Sequence, residues 1–146
     1  MAEDLFSSDQ KKRIKAAIQE AELNTSGEVR VHLENHCKTE NVLDRASQMF
    51  SKLQMHKTDA RNGVLIYMAV KDHRFAIIGD AGINQKVGDD FWDTTKDKML
   101  AHFKNGKLTT GLVEGILCAG EKLKEHFPYQ KDDKNELSDD ISFGKN

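Results

Sequence analysis

The chain has 146 residues, 38% hydrophobic and 32% charged, with a formal net charge of −2. That length suits one domain with a single proper core. The near-balanced charge, with lysine and arginine scattered rather than blocked, offers no field that would draw the protein to nucleic acid or to an anionic membrane.

The first element reads as a helix. Ser7 is placed to cap it, with Gln10 at capping-box spacing, and Ile14, Ala17, Ile18 and Ala21 recur at helical intervals. The stretch NTSG (24–27) stops it. EVRVHLEN (28–35) then alternates strictly, with Val29, Val31 and Leu33 on one side and Arg30, His32 and Glu34 on the other. This predicts a strand with one polar face, near a sheet edge. A second helix is capped by Asn41 and carries Ala46, Met49, Phe50 and Leu53 on one stripe. GVLIYMAV (63–70) is a continuous apolar run, as expected of a strand buried on both faces. The short link KDH joins it to RFAIIGD (74–80), which predicts an antiparallel hairpin.

IIGDAGINQKVGDDFWD (77–93) follows, rich in aspartate and glycine, and a helix is expected from about Asp89 to Phe103. The last helix carries Leu108, Leu112, Ile116, Leu123 and Phe127 and ends at Pro128, the only proline. Gly111, Gly115 and Gly120 on that helix cost stability one by one, so a close helix–sheet approach is expected to compensate. From Tyr129 the chain is polar and charged with little to bury. The expected organisation is a domain over 1–128 and a disordered polar tail over 129–146.

The order α-β-α-β-β-α-α, with a crossover joining parallel first and second strands, gives an α/β fold: a three-layer α/β/α sandwich with a small mixed sheet. Parallel strands start at the same end, and the antiparallel third strand finishes there. Glu28, Asp59, Asn62, Asp80, Asp89 and Asp90 are thereby expected to converge, whereas Asp44 and Asp72 belong to the opposite end. Carboxylates joined by an amide oxygen are hard-cation ligands, suited to Ca²⁺ with its roughly 6–8 oxygens or to a more hydrated Mg²⁺. Left uncompensated, such carboxylates raise one another's pKa. Helix capping by Asp80, Asp89 or Asp90 is the competing explanation of the same residues. An EF-hand is not: counting from Asp80, Gln85 stands where glycine is required and Phe91 where the bidentate Glu belongs.

Other constellations are poorer. His32, His36 and Cys37 lack a second Cys or His pair at zinc-like spacing, and Cys118 lies in an apolar helix as a small core residue would. Neither a nucleophile elbow nor a P-loop occurs, and the acidic Asp80 spoils G-D-A-G as a phosphate cradle. The N-terminal residues show no signal-peptide pattern. No window approaches the roughly eighteen apolar residues of a membrane span. Cys37 and Cys118 are therefore expected as reduced thiols in a cytoplasmic monomer.

TSGEVRV (25–31), TDARNGVLIYMAVKDHRFAIIGDAGI (58–83), VGDDFW (87–92) and MLAHFKNGKLTTGLVEGI (99–116) together resemble the TPM domain family, over about Phe6 to Pro128. The family includes thylakoid-lumen, photosystem-repair and receptor-associated proteins. Its Asn-Gly-Val is matched by Asn62 to Val64. The Gly-Leu-Glu after the third strand reads Gly82-Ile83-Asn84 here and loses a carboxylate, and of its Leu-Pro-Asp only Asp89 is kept. Most members are exported or membrane-anchored, whereas neither signal nor anchor is expected here. The resemblance implies an α/β/α sandwich, divalent-cation binding as in some members, and acid phosphatase activity as proposed for the thylakoid-lumen one. The residues place no nucleophile, general acid or arginine clamp at the acidic end. Arg61, the nearest basic group, reads as a solvated loop residue. The expectation is a binding or adaptor module that holds Ca²⁺ or Mg²⁺ and serves an unidentified protein partner. The alternative is a metal-assisted phosphatase using the same acidic residues.

Overall fold

The structure is a computed structural model and describes residues 1–129 and 137–144. A 3₁₀ turn (Ala2–Leu5) precedes helix α1 (Ser8–Glu22), strand β1 (Glu28–Glu34), helix α2 (Val42–Lys52) and a second 3₁₀ turn (Met55–Lys57). Strands β2 (Gly63–Ala69) and β3 (Arg74–Gly79) come next, then a short helix α3 (Ala81–Asn84), helices α4 (Asp93–Phe103) and α5 (Leu108–His126), and strand β4 (Ser142–Phe143). Ser7 and Gln10 close the expected capping box on α1, and the Asn41 side chain accepts from the Leu43 amide to cap α2.

The strands form one mixed sheet in the order β3-β2-β1-β4. β1 and β2 run parallel, with Glu28 opposite Gly63 and Glu34 opposite Ala69, while β2 and β3 form the antiparallel hairpin. Every residue of β2 is buried, as its unbroken apolar run requires. One sheet face meets a large core in which Val29, Val31, Leu33, Val64, Ile66 and Met68 pack with residues of α1, α4 and α5. The other face, with Leu65, Tyr67 and Ala76, packs under α2 through Ala46 and Met49. These layers make the three-layer α/β/α sandwich.

Four details differ from the sequence expectation. Helix α4 begins at Asp93, because Gly88 to Asp90 form turns in which Phe91 donates to the Gly88 carbonyl and Asp93 to that of Asp90. The α5 glycines admit other helices rather than the sheet. A Cβ at Gly115 would strike Met99 of α4, and one at Gly120 would meet the Ala21 backbone of α1. The polar side of β1 is buried: Glu28, His32 and Glu34 are shielded from solvent, Glu34 by Arg45 of α2. Finally, the stretch expected to be a disordered tail contains β4, which pairs in parallel with His32 and Leu33 of β1. Gly144 then donates to the Leu33 carbonyl at 2.8 Å. An exposed strand edge can recruit backbone partners even from a polar segment, which composition does not reveal. Residues 130–136, 145 and 146 of that stretch lie outside the described residues.

Candidate functional site at the lower end of the sheet

The chain directions bring the lower ends of β1, β2 and β3 together. Glu28 N–H donates to the Asn62 carbonyl at 3.3 Å, and Asp80 N–H to the Gly63 carbonyl at 2.9 Å. Gly82 N–H in turn donates to the Arg61 carbonyl at 2.9 Å. A Cβ at Gly82 would collide with the carbonyl oxygens of Ala60 and Arg61, so glycine is what lets α3 press against this loop. Glu28, Asn62 and Asp80 thus share one edge, as the topology predicts.

Their side chains are differently engaged. Asp80 is buried and grips Arg61 in a two-point contact, Nε to Oδ2 at 2.7 Å and Nη2 to Oδ1 at 2.8 Å. The same Oδ1 accepts from the Ala81 amide at 2.7 Å, so Asp80 also caps α3. Arg61 is therefore not simply solvated, and the bond to Asp80 raises its pKa further. Its backbone sits in the left-handed region, with φ of 51°. Asn62 is buried and donates weakly through Nδ2 to Ser26 Oγ at 3.4 Å, while its Oδ1 has no partner. Glu28 is buried, and its Oε1 accepts from the Leu137 amide at 2.8 Å.

Asp59, Asp89 and Asp90 are exposed. Asp89 borders a cleft of about 460 Å³ beside the β3 edge, together with Ile78, Gly79, Asn84, Trp92 and Lys96. Asp80 and Asp90 do not line it. Neither Asp89 nor Asp90 caps α4, whose cap residue is Trp92. The end of the sheet thus gathers backbone and acidic residues. Among the described residues, however, no three Asp, Glu, His or Cys side chains stand close enough together to hold a metal ion.

Buried polar groups at the two ends of β1 form two centres that sequence reasoning missed. At its upper end Glu34 is fully buried and bonded by Arg45 of α2, through Nε at 3.1 Å to both oxygens and Nη2 at 2.9 Å. His32 Nε2 lies 3.5 Å from Glu34 Oε1, and its Nδ1 lies 2.8 Å from Ser142 Oγ. Burial, the largest influence, lowers the His32 pKa against the pull of Glu34. Arg45 within the apolar stripe of α2 was the available signal. At the lower end, Glu22 of α1 accepts from the Val29 amide at 2.9 Å. Burial, followed by a side-chain hydrogen bond with Asp139, pushes its pKa up to about 9.

The TPM domain model matches residues 2–122. The BA42 protein of the psychrophilic bacterium Bizionia argentinensis is similar in structure, with a TM-score of 0.89, 50% identity, and 95% of each chain covered. The N-terminal domain of a protein from P. gingivalis superimposes with a TM-score of 0.67 at 19% identity, over 84% of this chain and 79% of that one. The N-terminal domain of a Corynebacterium glutamicum protein gives 0.66 at 11% identity, over 91% and 82%. These two share the fold. A search of the curated proteins finds no match. Among the described residues no helix is long and apolar enough to cross a membrane. The matched family model spans most of the chain, and the protein belongs to the TPM domain family.

Proposed function

We propose that this TPM domain is a binding module that takes Ca²⁺ or Mg²⁺ at the lower end of its sheet. The ligands would be Asp80, Asp89 and Asp90, with Asn62 and Asp59 behind them. Glu28, whose Oε1 accepts from the Leu137 amide, comes last among them. The observation that carries the reading is Asn62, whose buried Oδ1 lacks a hydrogen-bond partner at the edge where Asp80 meets Gly63. A buried acceptor of this kind calls for a donor or a cation. Carboxylate and amide oxygens are the ligands hard cations prefer. Arg61 supplies the positive charge opposite Asp80, so a cation must displace it. The half-exposed Arg61 side chain has solvent to move into. A bound cation would tie the 80–90 loop to the strand ends and serve an adaptor role toward a protein partner.

A metal-assisted acid phosphatase is the second reading, favoured by Lys96, which lines the cleft beside Asp89 and could meet a phosphate. There the cation would polarise a phosphoryl oxygen.

Amide NMR shifts during separate Ca²⁺ and Mg²⁺ titrations of the intact chain test both. Residues 79–90 should shift at roughly millimolar cation, and Asp80→Ala or Asp89→Ala should abolish the shifts. Arg61→Ala should bring them on at lower cation concentration. No shift in the parent protein sinks the cation site. Shifts without hydrolysis of an aryl phosphate leave the binding module and remove the enzyme.

A further inference from the structure

Helices α1 and α5 run side by side toward the lower end of the sheet. Gly120 packs on the Ala21 backbone toward their C-terminal ends, and Ser26 N–H, beyond α1, donates to the Phe127 carbonyl at 2.9 Å. Both N-termini therefore lie at the other end of the domain, away from Asp80. That of α1 is capped by Ser7 and Gln10, whereas no side chain caps the first turn of α5 and no acidic residue lies in it. The amides of Leu108, Thr109 and Thr110 have no intrahelical acceptor, since the first such bond runs from Gly111 N–H to the Lys107 carbonyl at 3.0 Å. A 19-residue helix bare at this end presents a positive dipole terminus and three unused donors.

A cavity of about 300 Å³ opens at this turn, between Leu5, Phe6, Gln10 and Arg13 on one side and residues 106–110 on the other. Gly106, left-handed with φ of 74°, turns the chain after α4 so that α5 starts two residues later. Thr109 is the residue that points to a ligand. It lines the cavity, is only 5% exposed, and its Oγ1 has no hydrogen-bond partner among the described residues. Buried hydroxyls are as a rule paired, and a helical threonine has two χ1 wells through which the hydroxyl can turn toward a ligand. The charged side chains on the cavity wall are Arg13 and Lys107, both exposed and without ion-pair partners among the described residues. No carboxylate opposes them there.

We propose that this cavity binds the phosphate group of a small phosphate monoester. The amides of Leu108, Thr109 and Thr110 donate to the phosphoryl oxygens, Thr109 Oγ1 adds a fourth donor, and Arg13 and Lys107 offset the charge. Leu5, Phe6 and Leu108 leave an apolar wall for the organic part of the ester. The volume is at the small end for ligand cavities and suits a compact ester. The site uses no cation and lies at the opposite end of the domain from Asp80, so it stands or falls apart from the cation reading.

The test is amide NMR on the intact chain with EDTA present, titrating phenyl phosphate and inorganic phosphate separately against sodium chloride at matched ionic strength. The amides of Leu108, Thr109 and Thr110 should shift saturably with phenyl phosphate, at a Kd of about 1 mM or tighter. Residues 79–90 should stay in place. Inorganic phosphate should move the same three amides at higher concentration. Arg13→Ala, a change at an exposed position, should weaken binding roughly tenfold, and the near-isosteric Thr109→Val roughly threefold. Lys107→Asp sets a carboxylate at the cap position in competition with the ligand and should abolish the shifts. Amides 108–110 that do not move overturn the site, as do shifts that are the same in the parent, Arg13→Ala and Lys107→Asp proteins. Equal affinity for the two phosphates overturns the organic ligand in favour of the free anion.

Discussion

The two ends of β1 bury ionisable groups in opposite ways. At the upper end the Glu34 carboxylate meets the Arg45 guanidinium in a three-bond contact, with His32 held neutral beside it. At the lower end Glu22 meets Asp139 and feels Glu28, with no cation in hydrogen-bond contact with Glu22 among the described residues. Alternation along β1 explains why His32 and Glu34 share one face but not how their charges balance. Balance comes from what packs alongside: α2 brings an arginine, whereas residues 137–144, a strap along the β1 edge, bring further acids. The upper end is thus a fixed structural pair, and the lower end a contact whose strength follows pH.

The largest expected effect comes from unbalancing the upper end. Arg45→Met should cost about 3–5 kcal/mol, because Glu34 is left as an uncompensated buried charge. Urea denaturation at neutral pH measures it. Adding Glu34→Gln to Arg45→Met should recover much of the loss, since removing both charges also removes the unpaired one. A single mutant as stable as the parent would show that the pair is not buried in solution.

Glu22→Gln probes the lower end. The parent group has a folded pKa of about 9 against 4.5 unfolded. Its proton therefore stabilises the fold fully below 4.5, and that contribution is lost progressively as pH rises toward 9. Stability of the parent should decline over this window, and the variant should flatten the decline. Unfolding midpoints across the pH range give the slope directly. Next in size is His32→Gln. Burial lowers the His32 pKa below 6.5, so its contribution is complete above 6.5 and lost as pH falls below it. Glutamine has no such titration and should remove the acid limb while still offering a partner to Ser142 Oγ. The two variants act on opposite limbs of one stability profile, which makes them independent tests of the comparison.

Much of the scaffold was legible in the residues. The unbroken apolar run 63–70 placed β2 in the interior, and Ser7 and Asn41 announced their helices through cap chemistry. Strand directions alone put Glu28, Asn62 and Asp80 at one edge. What escaped was set by partners distant in sequence. Leu137, Ile141 and Phe143 are too sparse to read as an element, yet β4 exists because β1 offers an unpaired edge. The α5 glycines were recognised as sites of close approach, but periodicity could not say that α1 and α4, rather than the sheet, approach there. Asp80 was read as a cap or a ligand. Its hold on Arg61 depends on a left-handed turn at Arg61 that no local propensity announces for arginine.

The smallest effect belongs to Lys15→Ala, and it separates the strap from the domain it covers. Lys15 and Asp140 are both largely exposed, so their pair is weak and screened by salt. The unfolding midpoint of the variant should match the parent, with or without ~0.5 M NaCl. The strap should still notice. Losing the Lys15 ammonium leaves Asp139 and Asp140 with less positive charge opposite them, so the carboxylate surplus grows. Protection of the Gly144 amide against hydrogen exchange should then be lower than in the parent, and added salt should narrow the difference between the two proteins. A matching drop in the global midpoint would mean that the strap unfolds only with the whole domain, and the lower end of β1 would then be as fixed as the upper.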